Sequence, residues 1–379
     1  MYYVYFTRMN DALEKTLILF TLMVFGFLLK PKFKNQDQIN GIKEMVLSVA
    51  LPSMIFIALM NISIDKTMVL VPLLTIVFNF FMYVITPFSF PLFGIEKDSS
   101  TGRTLQMLIP SLAPGLSCFP FVAEFLGSKS VAIGALADVG NKFFVLIFLY
   151  LIALNMFLKN TKSKEQKVGE KLKSLLLTMI KEPINIIIFI AIILLSFGVN
   201  YDNLPRVLTG VFDKTSAMMT PLILLFIGLA VQLKKGMKRT IVSVLLFRSG
   251  VTLLFSTFLI YILAIQDPVM VLIATVIPQS SASFWPFAHI SLFNAKEASM
   301  EIPQERRTFN LEQAVLILAF SLPFSTLIIL GILSSDTLFT NPKVSVLVAV
   351  GLILLGVGRH AYEKLKKFRV KSDKTAVIH

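Results

Sequence analysis

Two apolar stretches of this chain, Leu105 to Phe125 and Val269 to Ala295, occupy corresponding places in two halves of similar length, and prolines interrupt both. The first carries Pro110, Pro114 and Pro120, with Ala113, Gly115 and Ser117 between them. The second carries Pro278 and Pro286, separated by Gln279, Ser280, Ser281 and Ser283 among others. Proline lacks a backbone N–H and clashes with the preceding turn, so neither stretch reads as an unbroken helix. Backbone released from helical hydrogen bonding is tolerated at membrane depth only where protein or a water-filled cavity satisfies it. Paired interruptions therefore predict a binding site near the bilayer midplane, with kinked packing helices as the alternative.

A membrane setting follows from composition: 55% of 379 residues are hydrophobic, 15% are charged and the mean hydropathy is +0.78. A spanning helix needs about 20 mainly apolar residues. Eleven segments qualify, near 11–30, 43–63, 67–92, 104–126, 130–158, 175–199, 207–233, 240–265, 268–294, 311–334 and 343–358, the last being short. The net charge of +14 sits in the connections and not in a basic stripe interleaved with aromatics, which excludes a nucleic-acid reading. One cysteine, Cys118, excludes an intramolecular disulfide. Residues 1–29 read as a retained first span, because no small-residue cleavage site follows the apolar run.

Lys and Arg divide unequally between alternate connections: 26 fall after spans 1, 3, 5, 7 and 9 and in the tail, against about seven on the other side. Basic connections stay cytoplasmic, so the expectation is an N-terminus outside and residues 359–379 inside a plasma or inner membrane. Eleven spans satisfy this. They divide as five, five and one, and a five-span unit repeated once has inverted topology. Pro52 stands 68 residues before Pro120, and Pro221 stands 65 before Pro286. The expected organisation is a first repeat over 1–158, a cytoplasmic linker over 159–174, a second repeat over 175–334, and an extra span with a basic tail over 335–379.

The fourth span reads Ala113-Pro114-Gly115-Leu116-Ser117-Cys118-Phe119-Pro120, followed by Phe125-Leu126-Gly127 and by Asp138-Val139-Gly140-Asn141. The ninth reads Ile277-Pro278-Gln279, then Pro286-Phe287, leading to Asn294. Over residues 12–334 this order resembles the auxin efflux carrier family, which is grouped with bile acid and sodium symporters among five-plus-five inverted-repeat transporters. The resemblance implies an all-helical fold with transport and scaffold domains. Spans 4 and 9 would cross at the substrate site, so that Pro114, Gly115, Ser117, Pro120, Asn141, Lys142, Pro278, Gln279, Ser280, Ser281, Pro286 and Asn294 surround it. Ala113 stands where the family usually has Asn.

Elementary physics agrees on the site. At 1.5 Å per residue, Pro114 lies roughly 14 Å in from Leu105 and Pro278 a similar distance in from Pro268. Half-helix ends there favour an anion without a metal or cofactor. Asp138 and Lys142, four residues apart, share a helical face as an ion pair, and Lys142 could exchange Asp138 for a substrate carboxylate. Arg248 reads as a carboxylate grip or as a structural partner. His289 and Glu124, after the two breaks, are candidates for a proton relay. The connection Lys296 to Arg307 reads as solvated. No phosphate loop, nucleophile elbow or zinc pattern occurs, so the chain does not read as an enzyme. The expected function is secondary transport of a small organic anion, a carboxylate, in the outward direction. Its partners would be that anion, the lipid bilayer and a second copy in a homodimer. A sodium-coupled importer and a non-transporting membrane sensor remain the alternatives.

Overall fold

The structure is a computed structural model that describes residues 11–33, 35–61, 70–162, 168–230, 239–335 and 337–358. Parts of the charge argument, including Arg8, Lys66, Lys234 and the tail 359–379, lie outside these residues. Among the described residues the chain is helical, with no strand. Eight helices among the described residues are long and apolar enough to cross a membrane, or nine if a bent pair is one span. The surface supports the same conclusion: Phe88, Phe197 and Leu347 are each more than 70% exposed, a cost in water that lipid removes. This is a multi-pass helical membrane protein.

Helix α1 is Asp11–Leu29. Helix α2, Gln36–Met45, starts on an Asn35 cap and runs through a π-turn at Val46–Ala50 into α3, Leu51–Met60. Pro52 has no N–H to continue the regular ladder, and the Leu51 N–H reaches back to Val46 O, which widens the turn. Helix α4 is Leu70–Ser89. The fourth apolar segment is α5 (Ser100–Leu108), a short turn α6 (Pro114–Ser117) and α7 (Phe119–Leu126). The fifth is α8 (Ser128–Phe143), a second π-turn at Phe144–Phe148, and α9 (Leu149–Thr161).

Helices α10 (Val168–Lys181) and α11 (Pro183–Ser196) make the sixth segment, bent by 63°. The expected linker 159–174 is thus helical over part of its length. The reason is an apolar face, Leu172, Leu175 and Met179, packed on the core. Then come α12 (Arg206–Ala217), α13 (Met219–Ala230), α14 (Arg239–Ile262), α15 (Pro268–Val276), α16 (Phe284–Ser299), α17 (Leu311–Leu333) and the shorter α18 (Pro342–Gly358).

Two sets of helix contacts run through the fold, and they share one hydrophobic cluster. In one, α1 lies along α13, and α3 packs on α11 and α12. In the other, α4 packs on α8, α14 on α15 and α17, and α16 on α9 and α17. Contact between the groups runs through α3 against α8 and α7 against α13. The α1–α13 crossing is set by glycines: a Cβ on Gly26 would lie 2.2 Å from Leu225 O, and one on Gly228 would lie 2.0 Å from Met23 O. Backbones approach this closely only where side chains are absent.

Candidate functional site: two broken helices stitched together

The fourth and ninth segments break where the sequence places the interruptions, and the freed backbone of each bonds to the other. The Ala113 N–H donates to Ser281 O (2.8 Å). The Ser281 N–H donates to Ser117 Oγ (2.9 Å), and the Ser283 N–H to Ser111 Oγ (2.9 Å). Ser117 Oγ in turn donates to Ala113 O, so both its hydrogen-bonding roles are taken by backbone. Ser280 Oγ donates to Ile277 O within its own turn. Ser321 on α17 receives the Ala282 N–H.

Further backbone groups at the first break are met by two side chains, Asn141 and Arg248. Asn141 accepts from the Leu112 N–H (3.1 Å) and donates to Leu112 O (2.8 Å), mimicking a strand partner. Asn79 on α4 donates to the same Asn141 oxygen, and Asn141 also donates to Asp138 Oδ1. Arg248, only 2% exposed, donates from Nε to Ile109 O (2.9 Å) and from Nη2 to Ser111 O (3.2 Å). A guanidinium on the last carbonyls of α5 complements the negative end of its dipole. Gln279 Nε2 donates to Ser249 O, whereas Gln279 Oε1 is buried without a hydrogen-bond donor.

The prolines have divided roles. Pro114 opens α6 and Pro278 lies in a 3-10 turn, at the breaks themselves. Pro120 and Pro286 lie in the first turns of α7 and α16, where a missing N–H is tolerated. They start the second half-helices and do not interrupt the first. Gly115 faces Leu51, whose Cδ2 would lie 2.9 Å from an added Cβ, so α6 sits tight against α3.

Beside the crossing lies an apolar cavity of about 120 Å³, bounded by Leu112, Ala137, Ile277 and Pro278 at the breaks and by Leu263 and Ile265 at the α14–α15 turn. The charged cluster is carried on another face of α8 and does not line this cavity. Lys142 Nζ lies 3.2 Å from Asp138 Oδ2, as its spacing predicts, and 3.0 Å from Glu182 Oε2 at the α10–α11 bend. The sequence reading overlooked Glu182, although a carboxylate followed by Pro183 inside an apolar run is a legible signal. It also overlooked Asn79, an amide alone in an apolar helix.

Other expected residues are placed elsewhere. His289 is buried on α16 with Nε2 2.9 Å from Val145 O and its ring edge-on to Tyr150, while Glu124 is exposed on the last turn of α7. Asn294 serves the following connection, donating to Phe309 O and accepting from Arg307 Nη1. That connection is not wholly solvated. Glu297 is fully buried and accepts from the Thr308 N–H and Oγ1 and from Asn160, which satisfies its charge and pins the loop. No protein-family model and no curated protein matches the chain.

Proposed function

We propose that this chain is a secondary transporter of a small organic anion, a carboxylate, built as a five-plus-five inverted repeat like the auxin efflux carriers it resembles. The observation that carries the reading is the mutual stitching of two broken segments, Ala113 to Ser281 and Ser281 to Ser117, beside a cavity and a buried lysine. Broken helices at depth are costly, and their upkeep by Asn141 and Arg248 is explained by a site that needs exposed half-helix ends. Lys142 supplies the opposite charge for the carboxylate of an organic anion.

In this reading the group formed by α1, α3 and α11 to α13 is the scaffold, and the group holding the breaks moves against it. The N-terminus faces outside, the tail is cytoplasmic, and the cell membrane is the site of action. Efflux is the working direction for an anion that moves alone, since on leaving a cell held inside-negative by roughly 100 mV it gains about 2.3 kcal/mol, a gain that a co-transported proton cancels. Sodium-coupled uptake is the second reading, and its support is Gln279 Oε1, a buried oxygen with no donor. Proteoliposomes holding the full chain should release labelled lactate or malate faster than empty liposomes, with or without sodium. Strict sodium dependence would favour the second reading. No flux above empty liposomes with either anion would reject transport of small carboxylates.

A further inference from the structure

The two carboxylates around Lys142 are held in different ways. Asp138 is fixed at both oxygens: Oδ1 by the Asn141 amide, itself locked to Leu112, and Oδ2 by the ammonium. Glu182 approaches through Oε2 at 3.0 Å from Lys142, and this oxygen has no aligned hydrogen-bond donor. Lys142 Nζ likewise lies at ion-pair distance from both carboxylates without the alignment of a good hydrogen bond, so its N–H donors are incompletely used. Glu182 also lies at the 63° bend between α10, which packs on the Phe144–Phe148 turn, and α11, which packs on α3, so its ion pair ties α8 to that bend.

Resting on the transporter reading, we propose that Glu182 is an internal counter-anion, which the carboxylate of the substrate displaces from Lys142 while Glu182 takes up a proton. The exchange balances: the Lys142–Glu182 pair, a carboxylate anion and one proton become a Lys142–substrate pair and a neutral Glu182 acid. Without the proton, displacement would leave Asp138, Glu182 and the substrate as three negative charges around one positive one, in surroundings where an unpaired charge is expensive. Among the described residues no further salt-bridge partner of Lys142 is found. Helix α3 and the π-turns at Val46–Ala50 and Phe144–Phe148 bring no ionisable side chain, and Lys181 precedes Glu182 on its own bend. On the helix leading into α3, Glu44 receives Ser48 Oγ and Lys43 lies over the Phe284 ring. Protonation also breaks the ion pair that ties α8 to the α10–α11 bend.

The test uses the full chain in proteoliposomes with labelled lactate and malate, an internal pH dye, and empty liposomes subtracted. In the native protein, carboxylate and proton should move together, about one proton per carboxylate engaged at Lys142, and a pH gradient alone should drive accumulation. Glu182→Gln, neutral at every pH, should lose proton movement and pH-driven accumulation. Carboxylate flux through native protein without proton movement would overturn the inference and leave the transporter reading standing. So would a Glu182→Gln variant with unchanged proton coupling. Because the native measurement decides the stoichiometry alone, a variant that failed to fold would not shield the proposal. Absence of flux and of binding for both anions would overturn the transporter reading and this inference with it.

Discussion

Asn141 makes four hydrogen bonds at the first break, and a leucine of similar volume would make none. Asn141→Leu strands the Leu112 N–H and carbonyl in a buried setting, each at a cost of about 1–3 kcal/mol. The detergent-solubilised variant should therefore unfold at clearly lower temperature than the native chain. Ser280→Ala should cost less than Asn141→Leu, because the backbone group its hydroxyl meets, Ile277 O, lies within its own turn. Equal losses in the two variants, read by thermal unfolding, would show that the stitching is not specific. At this scale the sequence announced polar residues at the breaks but not their partners. Arg248 and Ile109 are 139 residues apart, and nothing local to either says they meet. Asp138 and Lys142 were legible because helical spacing fixes their contact. Glu182 was not, since its meeting with Lys142 depends on how α10 and α11 bend over α8.

Among the helices, the α1–α13 crossing has the least tolerance. Gly228→Ala would place a methyl 2.0 Å from Met23 O, a backbone atom that cannot swing aside, and the helices would have to part. A loss of more than about 2 kcal/mol is expected, as for other severe overpacking. Gly331 on α17 has nothing within 4 Å of an added Cβ, so Gly331→Ala should be neutral or stabilising by up to about 1 kcal/mol. Yield of folded protein and its thermal midpoint would test both, and a tolerated Gly228→Ala alone would contradict the close crossing. The prolines taught the positions of the breaks but not their extent. Proline marks a first turn as readily as an interruption, and only the surrounding hydrogen bonds tell Pro120 from Pro114. Helix α10 was hidden for a related reason: its lysines read as a solvated run, while Leu172, Leu175 and Met179 share a face that the core receives.

For the molecule as a whole, the apolar segments were legible because each must satisfy its backbone internally and meet lipid with its side chains. Their grouping was not, because several helices are apolar on every side and periodicity alone does not say which face meets protein. Orientation is open to a direct check. A cysteine at Ser372 should react with an impermeant reagent only after the membrane is opened, and Cys118, fully buried, should not compete. Labelling of intact cells at that position would reverse the proposed topology. The last helix carries a consequence of another kind. Gly250 of α14 would meet Ala349 O at 2.6 Å if it bore a Cβ, and Gly356 of α18 would meet Ser243 O at 2.7 Å, so the two helices are keyed backbone to backbone. Helix α14 also carries Arg248, the residue that caps the first break. If the proposed transport holds, any displacement of α14 tows α18 with it, and a fluorophore attached just past Gly358 becomes a tachometer for that motion.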